Sequence, residues 1–306
     1  MFFSINTRNI FPSLLFLSIT ICSAQHKPSN FIYYQEGEDI KLKMDVFFPK
    51  GYIKDKKYPC LVFYFGGGWL SGKTGYFSKQ ARYFASRGMI CYLPQYRTKN
   101  SHQVIPKVCL QDAKTAMRFL KSNADTLSID TSKIVAVGGS VGGHLAAAIT
   151  FTTKINNSTD DLSISTVPNA LILYNPIVDN GPEGYGYNRV KDYYLDFSPI
   201  HNITNYAPPT LFMLGTQDQN VTVSTAIKYK KKMNRIKSRC DMWFFPNQKR
   251  SFFNYNNSKA EGVTNYNYYK TIYEADKFLI SLGFLEGEPT VEVPETKIEF
   301  QAHLEK

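Results

Sequence analysis

The sequence predicts an α/β fold in which a mostly parallel, twisted sheet is covered by helices on both faces. Short, continuous apolar runs such as residues 60–65 and 134–137 are typical of strands that are buried on both faces. Longer stretches with apolar residues at helical spacing separate these runs. The length of 306 residues and the hydrophobic fraction of 43% suit a single large domain with a substantial core.

The strands can be assigned in order along the chain. Alternating apolar residues at Leu42, Met44, Val46 and Phe48 predict a half-exposed first strand. Buried strands are then predicted at residues 60–65, 89–93, 134–137, 170–174, 210–214 and 242–245. Because helical stretches lie between most of them, neighbouring strands are expected to run parallel.

The helices have recognisable limits. The first spans residues 77–87 and is closed by Gly88, and the second begins at Pro106, which suits a first helical turn. Further helices are predicted after Ser140, in the basic stretch 226–239 and at residues 266–282. Residues 175–209 lack a regular pattern and form either an ordinary packed excursion or a partial lid over the strand ends.

Residues 1–24 have the composition of a secretory signal peptide. Arg8 precedes an apolar stretch at residues 14–21, and cleavage is expected after Ala24. The stretch is too short for a comfortable membrane span, and the alternatives are a lipid anchor on Cys22 or an uncleaved anchor. We therefore expect a secreted or periplasmic protein whose residues 25–306 form one domain with a polar tail after Gly283.

Part of the formal net charge of +11 has a local source. Basic residues cluster in one stretch: Lys228, Lys230, Lys231, Lys232, Arg235, Lys237 and Arg239. Apolar residues recur there at helical spacing, which predicts an amphipathic helix with a solvated basic face. The alternative is a site for acidic glycans or a membrane surface. No nucleic-acid-binding module is recognisable, so nucleic acid is not an expected partner.

Cysteine spacing gives no indication of a metal or a cofactor. Four cysteines follow residue 24, and they form no CxxC pair and no His/Cys cluster. Cys60 and Cys91 lie in predicted strands, where a free cysteine behaves as a small hydrophobic residue. Export permits disulfides but does not require them.

One motif has the form of a nucleophile elbow. Gly138, Ser140 and Gly142 give the pattern G-x-S-x-G between a valine-rich strand and an alanine-rich helix. The glycines are needed because side chains beside the serine would clash on such a tight turn. Ser140 is therefore the candidate nucleophile.

Two further features complete a candidate active site. Gly67 and Gly68 lie in a glycine-rich loop after an early strand, and their N–H groups, with that of Val141, are candidate oxyanion donors. Asp218 lies just past the predicted strand 210–214 and follows Ser140 in the order typical of a Ser-Asp-His triad.

Together these motifs resemble the α/β-hydrolase fold, and within it the acetyl esterase/lipase and bacterial carbohydrate-esterase-like families, over nearly the whole chain after residue 24. Other matching residues are Trp69, Tyr96, Arg97, Asp112, Ala113, His144, Asn175, Pro176, Phe197, Ser198, Pro199, Pro208, Pro209 and Thr210. The resemblance implies cofactor-independent serine chemistry on a small ester or an acylated glycan.

The sequence departs from the family at two functional positions. Relatives end the triad with a stretch like Gly-His-Gly-Phe-Phe-Asn, and here Phe252 and Phe253 keep that register, so Arg250 falls on the catalytic histidine. Phe65 replaces the histidine that precedes the glycine loop in relatives. Arginine stays protonated and offers no lone pair, so it cannot act as the base.

Three hypotheses follow from these departures. The first is an esterase-type protein with absent or strongly weakened activity. The second is a working esterase with an unusual base, for which the candidates are Lys249, His26, His102, His144, His201 and His303. The third is a non-catalytic binding protein that uses the basic helix or the tyrosine-rich residues 255–273.

Overall fold

The computed structural model describes residues 28–256, 259–260 and 263–295. The predicted signal peptide, His26 and His303 lie outside the described residues. Secretion and the single-domain boundary therefore stay predictions.

A single eight-stranded sheet organises the described part of the chain. Its strands follow the spatial order β1-β2-β4-β3-β5-β6-β7-β8. They are β1 (Ser29–Glu36), β2 (Ile40–Phe47), β3 (Tyr58–Tyr64), β4 (Ile90–Pro94), β5 (Ile129–Gly139), β6 (Ala170–Tyr174), β7 (Thr210–Gly215) and β8 (Cys240–Phe245). β1 and β2 pair antiparallel, β2 also pairs antiparallel with β4, and the other neighbours are parallel.

Helices connect the strands, and three short ones at residues 99–102, 187–190 and 194–197 were not predicted from the sequence. They are α1 (Ser78–Ser86), α2 (Lys99–His102), α3 (Pro106–Ser122), α4 (Val141–Phe151), α5 (Tyr187–Val190), α6 (Tyr194–Phe197), α7 (Val223–Arg235) and α8 (Tyr266–Ser281). Short 3-10 helices span Thr74–Phe77 and Pro199–His201, and a small hairpin joins β9 (Lys259–Ala260) to β10 (Val263–Thr264). No helix within the described ranges is long and apolar enough to cross a membrane.

The sheet separates two hydrophobic layers, which confirms the predicted α/β class. α3, α4 and α7 pack on one face, in the same apolar layer as Cys60 and Val62 of β3. α1 and α8 pack on the other face, in the layer that contains Leu61 and Phe63. Successive side chains of a strand point to opposite faces, so a strand between two helical layers must be apolar throughout.

The largest differences from the sequence-based expectation concern β1 and β5. β1 was not predicted, because it is an edge strand in which only Tyr33 is buried and the other positions show no apolar alternation. β5 begins at Ile129 rather than at residue 134, because polar residues 130–133 extend the strand beyond its apolar core.

All four cysteines in the described residues are free and buried: Cys60, Cys91, Cys109 and Cys240. Burial raises the pKa of the Cys240 thiol to about 12, so this group stays protonated at neutral pH. No cluster of three or more histidine, cysteine or carboxylate side chains in the described part of the chain could hold a metal ion.

A buried ion pair links the loop after β4 to α3. Asp112 is fully buried, and its carboxylate accepts hydrogen bonds from Arg97 Nη2 at 2.7 Å, Arg97 Nε at 3.0 Å and the Arg97 backbone N–H at 2.8 Å. Arg97 Nη1 also donates to Glu36 of β1 at 2.9 Å. The guanidinium therefore ties three segments together near the sheet edge.

Replacing Asp112 by asparagine should lower the free energy of unfolding by about 3 kcal/mol, because it removes the buried partner of the Arg97 cation and leaves only the exposed carboxylate of Glu36. Urea denaturation followed by tryptophan fluorescence measures this loss. Asp125→Asn is the matched control, since Asp125 pairs with Lys57 in full solvent exposure and should give no measurable change. Equal stabilities for the two variants would contradict the assigned role of the buried pair.

Candidate active site

The candidate site lies where the strand order reverses. β3 sits between β4 and β5, so the chain leaves β3 towards one side of the sheet and later returns on the other. Tyr64 at the end of β3 is in register with Gly138 near the end of β5. The loops that follow these two strands therefore open a crevice at the carboxyl ends, where open α/β sheets bind ligands.

Ser140 occupies a strained turn between β5 and α4. Its φ of 59° and ψ of −122° are unusual for a residue with a side chain, and its N–H donates to the Tyr174 carbonyl at 2.9 Å. A Cβ on Gly138 would lie 2.2 Å from the Gly142 backbone, and one on Gly142 would lie 1.9 Å from the Tyr64 carbonyl oxygen. These close approaches explain the predicted need for glycine at both positions.

Arg250 joins Ser140 to Asp218. Its Nη2 donates to Ser140 Oγ at 2.5 Å, and its Nη1 lies 3.3 Å and 3.4 Å from the two carboxylate oxygens of Asp218. Asp218 also accepts the backbone N–H groups of Asn220 at 2.8 Å and Val221 at 3.0 Å. The guanidinium thus occupies the bridging place that a histidine ring holds in a Ser-His-Asp triad.

The charge state of Arg250 excludes base chemistry. Burial lowers its pKa, and the nearby Asp218 carboxylate and Tyr185 act in the opposite direction. Arginine ordinarily titrates far above neutrality, so the group remains a cation with donors only. Ser140 Oγ is therefore the acceptor in the contact, and the guanidinium cannot take its proton.

The described histidines lie elsewhere. His144 in α4 is fully buried, its Nε2 is 3.1 Å from the Phe197 carbonyl oxygen, and burial lowers its pKa to about 3. His102 Nδ1 hydrogen-bonds with Ser101 Oγ at 2.7 Å, and His201 Nδ1 with Ser198 Oγ at 2.9 Å. None of these three histidines forms a hydrogen bond with Ser140. Lys249 is exposed to solvent, whereas a lysine that acts as a base is normally buried.

The glycine-rich loop lies directly against the serine. A Cβ on Gly66 would lie 2.9 Å from the Gly139 carbonyl oxygen and 3.1 Å from Ser140 Cβ, so the close approach favours glycine. Gly67 and Gly68 follow with φ of 137° and 70°, which favour glycine. The structure therefore brings the predicted oxyanion loop and the start of α4 at Val141 together around Ser140, while the donor roles of Gly67, Gly68 and Val141 stay predictions.

Phe65 anchors this loop by aromatic stacking. Its ring lies 3.9 Å from that of Tyr96 with an interplanar angle of 12°, and the Tyr96 hydroxyl donates to the Phe65 carbonyl at 2.6 Å. A Cβ on Gly72 would collide with the Phe65 ring at 2.3 Å. Packing thus holds the loop at the position where relatives have a histidine.

Sequence reasoning missed two residues that border the site. Arg189 Nη1 donates to the Gly68 carbonyl at 2.6 Å, and its guanidinium lies 4.8 Å from the Trp69 ring centre. The Tyr185 ring lies 5.3 Å from the Arg189 guanidinium and 5.7 Å from that of Arg250. Both residues belong to the irregular segment 175–209, which therefore covers the glycine loop. No periodicity in that segment could have identified them.

A cavity of about 600 Å³ adjoins Arg250. Its lining contains two cations, several amide side chains and no carboxylate; the residues are Asn247, Gln248, Lys249, Arg250, Ser251, Phe252 and Asn256. Amide and cationic side chains of this kind suit a small ligand that carries oxygen atoms and negative charge.

Comparison with known proteins identifies similar chains. The family model described as BD-FAE matches residues 44–182, a range that includes Ser140 and the glycine loop but ends before Asp218. The chain is 26% identical over 221 residues to the esterase LipC of Mycobacterium tuberculosis, covering 65% of this chain and 54% of LipC. It is 26% identical over 203 residues to endo-1,4-beta-xylanase B of Butyrivibrio fibrisolvens, covering 63% of this chain and 32% of that protein. It thus spans about half or less of these curated relatives.

Solved structures give a fuller match. The apo form of Thermogutta terrifontis esterase 2 is 33% identical, with a TM-score of 0.79, and the match covers 85% of this chain and 97% of that chain. The propionate-bound form of the same esterase is 32% identical, with a TM-score of 0.78 and coverages of 85% and 96%.

Replacing Gly142 by alanine should destabilise the fold by about 1–3 kcal/mol, because the new methyl group would overlap the Tyr64 carbonyl oxygen. Thermal and urea unfolding measure the change. Gly75→Ala is the matched control: its nearest neighbour would be Ser78 Oγ at 3.8 Å, so its stability should stay within about 0.5 kcal/mol of the wild type. A Gly142→Ala protein as stable as this control would show that the elbow is not tightly packed.

Proposed function

Because the chain belongs to the esterase family of the α/β-hydrolase fold, we propose that it is an esterase-type protein in which ester hydrolysis is absent or strongly reduced. The observation that carries this proposal is the contact of Arg250 Nη2 with Ser140 Oγ at 2.5 Å, made while the same guanidinium pairs with Asp218. The serine turn and the glycine-rich loop match the family pattern. Arg250 stands where that pattern has a histidine between Ser140 and Asp218.

The chemical reason for the reduced hydrolysis is that the proton of the Ser140 hydroxyl group has no base to accept it. When a serine oxygen attacks an ester carbonyl carbon, its proton must move to a base and then to the leaving alcohol. Arg250 already carries all its protons, and it stands between Ser140 and the carboxylate of Asp218. Loss of one triad member typically reduces the rate by roughly 10⁴-fold to 10⁶-fold, and the oxyanion donors and substrate binding account for what remains.

A second candidate function is the binding of a small carboxylate at the same place. The Arg250 guanidinium lies beside Ser140. The Arg189 guanidinium donates to the glycine-rich loop and has no ion-pair partner among the described residues. The adjoining cavity adds Lys249 and no carboxylate. Solved forms of the similar esterase from Thermogutta terrifontis are described as propionate-bound and butyrate-bound, which supports a short-chain acid as the ligand. A small ester or an acylated glycan is the related neutral ligand.

Arg250→His should raise the hydrolysis of p-nitrophenyl acetate at pH 8 by about 100-fold or more, because an imidazole can take the Ser140 proton and pair with Asp218. Steady-state absorbance measures the rate. The gain should disappear when Ser140→Ala is added.

Arg250→Gln is the matched control, since it removes the cation without supplying a base and should stay as slow as the wild type. Rapid wild-type turnover that Ser140→Ala abolishes would overturn the proposal. Covalent labelling of wild-type Ser140 by a fluorophosphonate at neutral pH would likewise favour a working esterase with an unusual base.

Propionate should bind the wild-type protein about tenfold more tightly than it binds Arg250→Gln, since a charge-assisted hydrogen bond contributes about 1.5–3 kcal/mol. Saturation-transfer NMR titration measures the affinity. Ser140→Ala should retain most of the binding because it keeps the guanidinium. Equal affinities for the wild type and Arg250→Gln would rule out this second candidate.

A further inference from the structure

A second cavity, of about 310 Å³, lies on the outer side of α7. We call it the basic groove. Its lining residues are Asp179, Ile200, His201, Lys228, Lys231, Lys232 and Arg235. Four basic side chains therefore contribute to the lining of one cavity, which includes a single carboxylate.

Helical geometry places these cations together. Lys228, Lys231, Lys232 and Arg235 follow the spacing i, i+3, i+4 and i+7, so they share one face of α7. The opposite face is fixed in the core by buried apolar side chains, which include Tyr229. The packing of α7 therefore fixes the backbone positions of these four basic residues.

The four cations are not neutralised within the protein. None of the ion pairs between described residues involves Lys228, Lys231, Lys232 or Arg235. Like charges at i, i+3 and i, i+4 repel one another along a helix. A bound anion would relieve that repulsion, so the groove favours a negatively charged ligand.

The remaining wall supplies hydrogen-bonding groups. Asp179 Oδ1 accepts the Gly181 N–H at 2.8 Å and lies 4.0 Å from His201 Nδ1. Both side chains are partly exposed in the groove, at 26% for Asp179 and 32% for His201. A carboxylate here disfavours a bare multivalent anion but can accept hydrogen bonds from hydroxyl groups. The ligand should therefore carry hydroxyl groups as well as negative charge.

We propose that the basic groove binds an anionic sugar, with its carboxylate or sulfate group on the α7 cations and its hydroxyl groups towards Asp179 and His201. This site is distinct from the cleft at Ser140 and does not depend on the proposed hydrolytic state of that cleft. Its volume matches a short saccharide segment, and its open outer side allows a longer chain to continue.

The lining favours a sugar over two other polyanions. Insertion into a membrane would need exposed apolar side chains, and the single apolar lining residue, Ile200, is 4% exposed; electrostatic attachment to an anionic membrane is distinguished by the vesicle experiment below. A single-stranded nucleic acid would need aromatic side chains on which bases stack, and the lining contains no Phe, Tyr or Trp.

The test titrates the full-length protein with three oligosaccharides by isothermal calorimetry: a heparin hexasaccharide, a hexagalacturonate and neutral xylohexaose. We expect one or both anionic probes to bind, with an affinity that falls as salt rises, and the neutral probe not to bind. The two anionic probes distinguish a sulfate from a carboxylate. The double substitution Lys228→Glu/Lys232→Glu should weaken anionic binding at least tenfold.

The double substitution Lys50→Glu/Lys54→Glu is the matched control, because it changes the net charge equally at exposed positions outside the groove. It should weaken binding less than twofold. An equal loss in both double variants, binding of none of the probes, or equally tight binding of xylohexaose would overturn the proposal. Tighter groove-dependent binding of duplex DNA or of phosphatidylserine vesicles would overturn it as well.

Discussion

The hydrogen bond from Arg250 to Ser140 determines what the rest of the site can do. A histidine in that place exchanges a proton and is neutral for much of its working cycle, whereas a guanidinium keeps its charge throughout. The fixed cation pairs with Asp218 and holds the serine oxygen as an acceptor, so the bridging group cannot become neutral as a histidine does. The surrounding fold is compatible with either group, so the chemistry of the cleft depends on one side chain.

The backbone around that contact leaves far less room for a change of side chain. Gly66, Gly138 and Gly142 pack so closely that a methyl group on any one of them would meet another backbone segment or Ser140 itself. These contacts connect β3, β5 and α4 at the point where the strand order reverses. The elbow is therefore part of the packing that forms the fold, and its presence alone does not establish catalysis.

The sequence predicted the parts of the site that follow regular elements. Asp218 and Arg250 could be assigned to the site because each follows a buried strand at a short distance. The match of Phe252 to the family pattern supported the assignment of Arg250 to the histidine position. Tyr185 and Arg189 could not be placed, since they lie in a segment whose path depends on tertiary packing rather than on local periodicity. The same limit applies to the basic helix: its amphipathic pattern was recognisable, but the groove depends on how the loop containing Asp179 packs beside it.

The backbone conformation of Ser140 has a consequence for how this position can change over time. A φ of 59° with a ψ of −122° costs a β-branched side chain more than it costs a small one, and strain of this kind is of order 1–3 kcal/mol. If turnover no longer constrains the residue, the shape of the turn still does. Mutational drift at position 140 should therefore be confined to small residues such as glycine, alanine, serine or asparagine, and the outward appearance of a hydrolase can persist long after the reaction itself is lost.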